Sequence, residues 1–359
     1  MDFFRDQVVL LTGATGGLGG CLLYKLVVVL RVPKIYVVIR KTPEKAIQAW
    51  AKTMQNHVDE IMHTGSVKFI YGDITTRKYG IADHDVRAME NDVTIVINAA
   101  ANISLRLPLR QVVQENCLSA LDLGEMAMRF TKLISFVQLS SAYALSDLPD
   151  GPMEEKLYLV DDADQLLEDI ISGKTDNWAG FAWPYAKSKR LMECLMDQKL
   201  AHRLPLLIGY TSGKNIVDEI PVDLVSNIIL QHVSRGTRGV VHTSSQCYIP
   251  RTFDDYLNDL ERYVPDDWKP KMARPVFTTD RTARQCRVAE FYVIKSRNWL
   301  VRADRSRDLE QGGPLGLHFG DHNIQAFTEK RVRRIFTETK ELLEMKEKRA
   351  KGQQLETKL

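Results

Sequence analysis

The stretch Val8-Val9-Leu10-Leu11-Thr12-Gly13-Ala14-Thr15-Gly16-Gly17-Leu18-Gly19 decides the fold. Its opening residues are apolar and branched, the pattern of a central parallel strand buried on both faces. Glycines then recur at 13, 16 and 19, and a helical run continues to Leu30. Glycine permits the tight turn. Lacking a side chain, it also lets a pyrophosphate approach the backbone at the positive N-terminal end of the helix. Thr12, Gly13, Thr15, Gly16, Gly17, Leu18 and Gly19 are therefore the candidate phosphate cradle of a dinucleotide.

Outward from this turn, strand and helix signals alternate. Pro33 ends the first helix, and Lys34 to Arg40 reads as the second strand. Thr42-Pro43-Glu44 opens a polar helix, and a third strand, Val67 to Tyr71, ends in Gly72-Asp73. Val93 to Asn98 is the fourth strand, Leu109 to Phe130 a helix, and Leu133 to Leu139 the fifth strand. A polar helical stretch, Asp161 to Lys174, lies outside the sheet. A helix from Pro184 to Leu200 precedes a sixth strand, Leu204 to Ile208. The segment from Asp218 to Asp223 starts another helix, and Gly239 to His242 is one more strand. This is an α/β pattern, a Rossmann-type doubly wound parallel sheet. Past Pro250 the alternation fades, which predicts domains at 1–250 and 251–359, the second smaller and mostly helical. Thr328 to Gly352 reads as a charged helix with Val332, Ile335, Phe336, Thr339, Leu342 and Leu343 on one face.

The chain has 359 residues, 44% hydrophobic and 26% charged, with a net charge of +3, which is an ordinary globular balance. No dense basic tract precedes the last helix, so no nucleic-acid partner is expected. The five cysteines are scattered without metal-ligand spacing, and no signal peptide is apparent, so they read as reduced thiols of an intracellular protein. His57, His63, His84 and His242 lack metal-like partners, and no metal is expected. The longest apolar candidate, Cys21 to Leu30, is short and broken by Lys25, so no transmembrane segment is expected.

Three further places carry chemistry. A domain that prefers NAD usually has Asp or Glu at the end of the second strand, about 20 residues past the glycines. Here that position holds Arg40, followed by Lys41. A guanidinium suits a 2′-phosphate and points to NADP(H); the alternative is a solvated strand end. Asp73, with Ile74 beside it, reads either as a contact to the adenine edge or as a turn residue after Gly72. Asn98, Ala99 and Ala100, with Ala101, are small enough for a cofactor to approach the fourth strand end.

The third place is Tyr185-Ala186-Lys187-Ser188-Lys189, where Tyr185 and Lys189 share one helix face. A phenol has a reference pKa of about 10, and a neighbouring ammonium stabilises its phenolate for acid–base work. The same lysine can hydrogen-bond a nicotinamide ribose. The pair follows a strand ending in Leu139-Ser140-Ser141, where a hydroxyl can hold a substrate carbonyl. Asn116 either completes a proton relay through water or packs its helix.

Together, Thr12 to Gly19, Gly72-Asp73, Ser140-Ser141-Ala142-Tyr143 and Tyr185-x-x-x-Lys189 resemble an extended short-chain dehydrogenase/reductase. Phe136 to Tyr143, Ile220-Pro221-Val222-Asp223, His242-Thr243-Ser244-Ser245 and Leu317 to Asn323 are similar to the fatty acyl-CoA reductase (male-sterility) branch, across nearly the whole chain. The resemblance implies reduction of a fatty acyl thioester such as acyl-CoA by NADPH, to an aldehyde or alcohol. Tyr185 would be the acid, Lys189 would lower its pKa and hold the ribose, and Ser141 would bind the carbonyl oxygen. One departure stands out. Family members carry an Arg-Pro-Ser-like segment and a substrate loop after the sixth strand, whereas a short polar linker, Thr211 to Val217, runs here to Ile220-Pro221.

That departure keeps two alternatives open: a reductase of a small ketone, aldehyde or carrier-bound thioester, and a catalytically weak NADP(H)-binding protein. The last helix, with Lys330, Arg331, Arg333 and Arg334, either packs on the protein or touches a membrane surface peripherally. A cytoplasmic location is expected, and Thr357-Lys358-Leu359 approximates a peroxisomal address.

Overall fold

The computed structural model describes residues 2–54, 57–211, 220–245, 253–269, 299–318 and 324–350. Along the chain run β1 (Val8–Thr12), α1 (Gly17–Tyr24), β2 (Lys34–Ile39), α2 (Pro43–Met54), α3 (Val58–His63), β3 (Val67–Tyr71), α4 (Asp83–Asp92) and β4 (Ile95–Asn98). Next come α5 (Leu109–Val113), α6 (Ser119–Ala127), β5 (Ser135–Ser141), β6 (Gly151–Met153), α7 (Ala163–Ser172), α8 (Pro184–Leu200) and β7 (Leu206–Thr211). Then follow α9 (Val222–Ser234), β8 (Gly239–Thr243), α10 (Phe253–Tyr263), β9 (Trp299–Val301) and α11 (Ile324–Ala350).

Seven of these strands form one sheet in the order β3-β2-β1-β4-β5-β7-β8, and every adjacent pair is parallel. This is the doubly wound arrangement the alternation predicts. The inner strands are the apolar ones, and Val9, Leu10, Leu11, Ile95, Val96 and Ile97 are fully buried. The edge strand β3 exposes Tyr71. From β1 the chain winds outward to β3, then returns to β4 on the other side of β1. A ligand crevice is expected where the strand order reverses, at the carboxyl ends of β1 and β4.

Three local departures from the expected elements stand out. The sixth large-sheet strand begins at Leu206 rather than Leu204, because Pro205 has no N–H for the ladder and gives only its carbonyl, to the Phe136 N–H. The helix after Leu109 passes through a π-helical turn at Gln114–Leu118 before α6, and α1 ends in another at Lys25–Val29. A small parallel ribbon joins β6 to β9 across a long stretch of sequence. Nothing in the local pattern of Gly151-Pro152-Met153 marks it as a strand.

The chain gathers into two compact units, Met1–Ile249 with Ser296–Leu317, and Pro250–Lys295 with His318–Leu359. Against the expected division at 250/251, the 296–317 segment thus returns to the first unit. Side-chain amides on α9 hold it there. Asn227 donates to the Gly316 carbonyl (2.7 Å), while Gln231 donates to the Leu315 carbonyl (2.6 Å) and accepts from the Glu310 N–H (2.7 Å). In the second unit, Trp268 meets Phe336 of α11 edge to face, with centroids 5.4 Å apart. Of the apolar stripe read along α11, Val332 is buried, whereas Ile335, Leu342 and Leu343 are exposed. Among the described residues, no helix is long and apolar enough to cross a membrane.

Candidate active site

A cleft of about 720 Å³ opens where the strand order reverses, within the usual size of small-molecule sites. Thr12, Gly13, Thr15, Gly16, Gly17, Leu18 and Gly19 all line it, as do Arg40, Ile74, Ala99, Ala100, Tyr185 and Lys189. Asp73, Asn98, Asn116 and Ser141 lie outside its lining.

The glycine turn is shaped by close backbone approach. Gly13 has φ +70°, and a Cβ there would sit 2.6 Å from the Ala100 nitrogen and the Ala99 carbonyl carbon. A Cβ on Gly19 would overlap the Gly13 carbonyl. Gly17 begins α1 with nothing within 4 Å of where its Cβ would lie, so its N-terminal turn faces open space. The Gly16 N–H bonds the Gly13 carbonyl at 2.9 Å. Buried Trp50 of α2 donates to the Ala14 carbonyl at 3.0 Å, tying the turn to the next helix.

Beneath this turn, buried polar side chains cross three strands. Thr12 donates to the Asn98 side-chain amide oxygen (2.6 Å) and accepts from the Ala100 N–H (3.0 Å). Asn98 donates in turn to Gln138 at 2.8 Å. Asn98 is therefore a cross-strand brace under the cleft. Asp73 accepts both the N–H and the hydroxyl of Thr75, each at 2.9 Å, closing a local turn.

One end of the cleft is basic. Arg40, Lys41 and Lys45 line it, and among the described residues the only carboxylate in the lining is Glu115. Glu115 accepts from Asn102 (2.6 Å) and Gln111 (2.8 Å). Asn116 holds the same loop: its amide accepts the Asn102 N–H at 2.7 Å and donates to the Asn102 carbonyl at 2.9 Å. These bonds occupy the amide in bracing the wall that runs from Ala99 to Ile103.

The other end is built by α8 against β5. Pro184 starts α8, since its fixed φ and missing N–H suit the first helical position. Tyr185 and Lys189 then face the sheet, 7% and 2% exposed. The Ser141 hydroxyl lies near enough to Tyr185 to lower its phenol, and the Ser141 oxygen accepts the Tyr143 N–H at 3.3 Å. Lys189 donates to the Leu139 carbonyl at 3.2 Å. Burial pushes the Tyr185 phenol up to about 12, against the lowering that a neighbouring ammonium leads one to expect; the nearby Ser141 hydroxyl offsets only part of it. Burial likewise brings the Lys189 ammonium down to about 8, opposed by the charge of Glu193.

Three cleft residues escape the sequence reading. Lys45 carries a generic helix-surface signature. Tyr79 lines the cleft from a left-handed turn (φ 62°) that nothing in Arg77-Lys78-Tyr79-Gly80 beyond its glycine announces. Ser140, beside the expected Ser141, reaches the cleft and donates to buried Glu193. Glu193 does have a sequence signal: it stands one helical turn beyond Lys189.

Residues 11–212, more than half of the chain, match the family model described as Male sterility protein, an NAD-binding model. The chain belongs to the male sterility family. The matched residues are thereby a nicotinamide-cofactor domain. Among curated members, it is 26% identical over 315 residues to mouse (Mus musculus) "Fatty acyl-CoA reductase 2", covering 73% of this chain and 60% of that protein. It is 28% identical over 354 residues to "Probable fatty acyl-CoA reductase 5" of Arabidopsis thaliana, covering 73% and 71%. The chain thus spans 60% of the mouse relative's length. The fold is similar to the reductase domain of a non-ribosomal peptide synthetase from Mycobacterium tuberculosis, with a TM-score of 0.61, 16% identity and 92% of each chain covered. The linker at 212–219, the family-like motif at 319–323 and the last residues, 357–359, lie outside the described residues.

Proposed function

We propose that this protein is an NADPH-dependent reductase of a fatty acyl thioester, with acyl-CoA as substrate and an aldehyde or alcohol as product. The observation that carries the proposal is one cleft lined at one end by the glycine turn and at the other by Tyr185 and Lys189. The larger unit is assigned to the cofactor, and the smaller unit, Pro250–Lys295 with His318–Leu359, to a region similar to the family's C-terminal domain.

The residues fit a dinucleotide. The cradle exists only because Gly13 and Gly19 lack a Cβ, and the open N-terminal turn of α1 at Gly17 presents backbone N–H groups suited to a pyrophosphate. Arg40, Lys41 and Lys45 offer three cations where an NAD-specific domain would carry a carboxylate, which favours a 2′-phosphate and hence NADPH. Ala99 and Ala100 bring bare backbone to the cleft floor. Ile74 gives an apolar edge, and Asp73 stiffens the turn beside it rather than facing the cleft.

When bound, NADPH supplies the hydride. The protein supplies orientation and protons. Ser141 at the end of β5 and Tyr185 on α8 are neighbouring hydroxyls and form a paired donor site for one carbonyl oxygen. Negative charge that builds on this oxygen as the thioester carbon becomes tetrahedral is stabilised by both hydroxyls in a buried setting, where such donors act strongly. Collapse expels the thiolate and leaves an aldehyde. If the aldehyde is reduced again, the alkoxide takes the Tyr185 proton. A phenol raised to about 12 keeps its proton at neutral pH and yields it only to a stronger base, such as that alkoxide. Lys189, one turn along, is placed to replace the Tyr185 proton and to bind ribose hydroxyls. Asn116 keeps the opposing wall in place.

The test follows NADPH absorbance with a long-chain acyl-CoA and then with a panel of aldehydes. The reading expects oxidation with the acyl-CoA. NADPH binding without turnover on any acyl thioester would overturn it.

A further inference from the structure

Side chains at 185, 189 and 193 recur at one-turn spacing on a single face of α8, and each meets a different residue at the end of β5. Tyr185 neighbours Ser141, Lys189 bonds the Leu139 carbonyl, and Glu193 accepts from the Ser140 hydroxyl. The first two contacts belong to the site already described. Glu193 does not touch the cleft, yet it is fully buried, at 0% exposure. A carboxylate is rarely taken wholly out of water without a partner, because an unpaired buried charge costs several kcal/mol. Its surroundings explain it: a strong hydrogen bond from a residue that lines the cleft, and a buried lysine one turn away.

We propose that Glu193 is a positioning residue of this site, fixing the end of β5 through Ser140 and serving as the buried counter-charge to Lys189. The inference rests on the reductase reading above. The titratable groups facing Lys189 are Glu193 on α8 and Cys117 from the π-helical turn after α5, while β5 offers only the Leu139 carbonyl. Desolvation favours a neutral lysine, and Glu193 is the larger of the two charges that oppose it. The same carboxylate raises the Tyr185 phenol, which helps to keep the proton on the acid. The one carboxylate thus opposes proton loss from both neighbours. Ser140, in turn, cannot drift without carrying Ser141 with it.

The test is the titration of the Lys189 side chain by NMR in full-length protein with nitrogen-labelled lysine, its resonance assigned by loss in Lys189→Met. Glu193→Gln keeps the volume and an acceptor for Ser140 but removes the charge. The Lys189 midpoint is expected to fall by about one pH unit or more, the scale of an opposite charge at close range. In parallel, the alkaline limb of NADPH oxidation should move to lower pH by the same interval. Glu193→Asp should restore both midpoints toward wild type, and Ser140→Ala should leave the lysine midpoint in place while lowering turnover. An unmoved Lys189 midpoint in Glu193→Gln overturns the inference, as does a loss of turnover that is uniform across pH. If the wild-type protein reduces no acyl thioester, the functional reading falls. The lysine titration, which needs neither substrate nor cofactor, still decides whether Glu193 is the counter-charge.

Discussion

The two ends of the cleft are made of different materials. The phosphate end is almost all backbone: a turn whose shape depends on missing Cβ atoms, with cations only at its outer rim. The catalytic end is almost all side chain: three buried polar groups of α8 held against β5, whose function depends on where protons sit. The first end fails when an atom is added. The second fails when a charge or a hydroxyl is removed, even if the shape survives.

The largest effect is expected at the catalytic end. Tyr185→Phe removes only a hydroxyl and should cut turnover by about 10²–10⁴-fold, the usual contribution of a general acid. NADPH affinity, measured by fluorescence titration, should stay unchanged. A parallel loss of binding would mean that the two ends are not separable. Gly13→Ala should do the reverse. Forcing a side chain into a left-handed position against the Ala99–Ala100 backbone should cost roughly 2–5 kcal/mol of stability in a denaturant titration, and NADPH binding with it. Arg40→Ala should weaken NADPH by about 10–100-fold, the scale of a lost charge-assisted hydrogen bond, and leave NADH unaffected. Equal losses for both cofactors would remove the 2′-phosphate assignment. Gly17→Ala should be smallest for the free protein. Its Cβ would meet nothing within 4 Å, so melting should be unchanged or higher by about 0.4–1 kcal/mol. Its effect should appear only when NADPH is titrated.

The same contrast explains what could be read from the sequence. The glycine turn, the parallel sheet and the span of α8 were legible because each depends on local pattern: branched runs, glycine spacing, and a proline at a helix start. The roles of Asp73, Asn98 and Asn116 were not. An Asp after a strand looks alike whether it faces a ligand or closes a turn onto Thr75, and an Asn on a helix does not reveal that it clasps Asn102. The return of 296–317 to the first unit was equally hidden, since it rests on two α9 amides meeting carbonyls some 80 residues later. Burial also reversed one expectation. Proximity of Lys189 suggests a lowered phenol, but burial dominates and raises it to about 12.

The central claim is that hydride passes from NADPH to the carbonyl carbon of an acyl thioester in this cleft. The most direct measurement incubates the protein with a long-chain acyl-CoA and NADPH bearing deuterium at the transferable position, and then analyses the products by mass spectrometry. The account predicts free CoA together with an aldehyde or alcohol that carries deuterium on the former carbonyl carbon, and no such product from Tyr185→Phe at matched times. Recovery of intact acyl-CoA beside bound, unoxidised NADPH would contradict it.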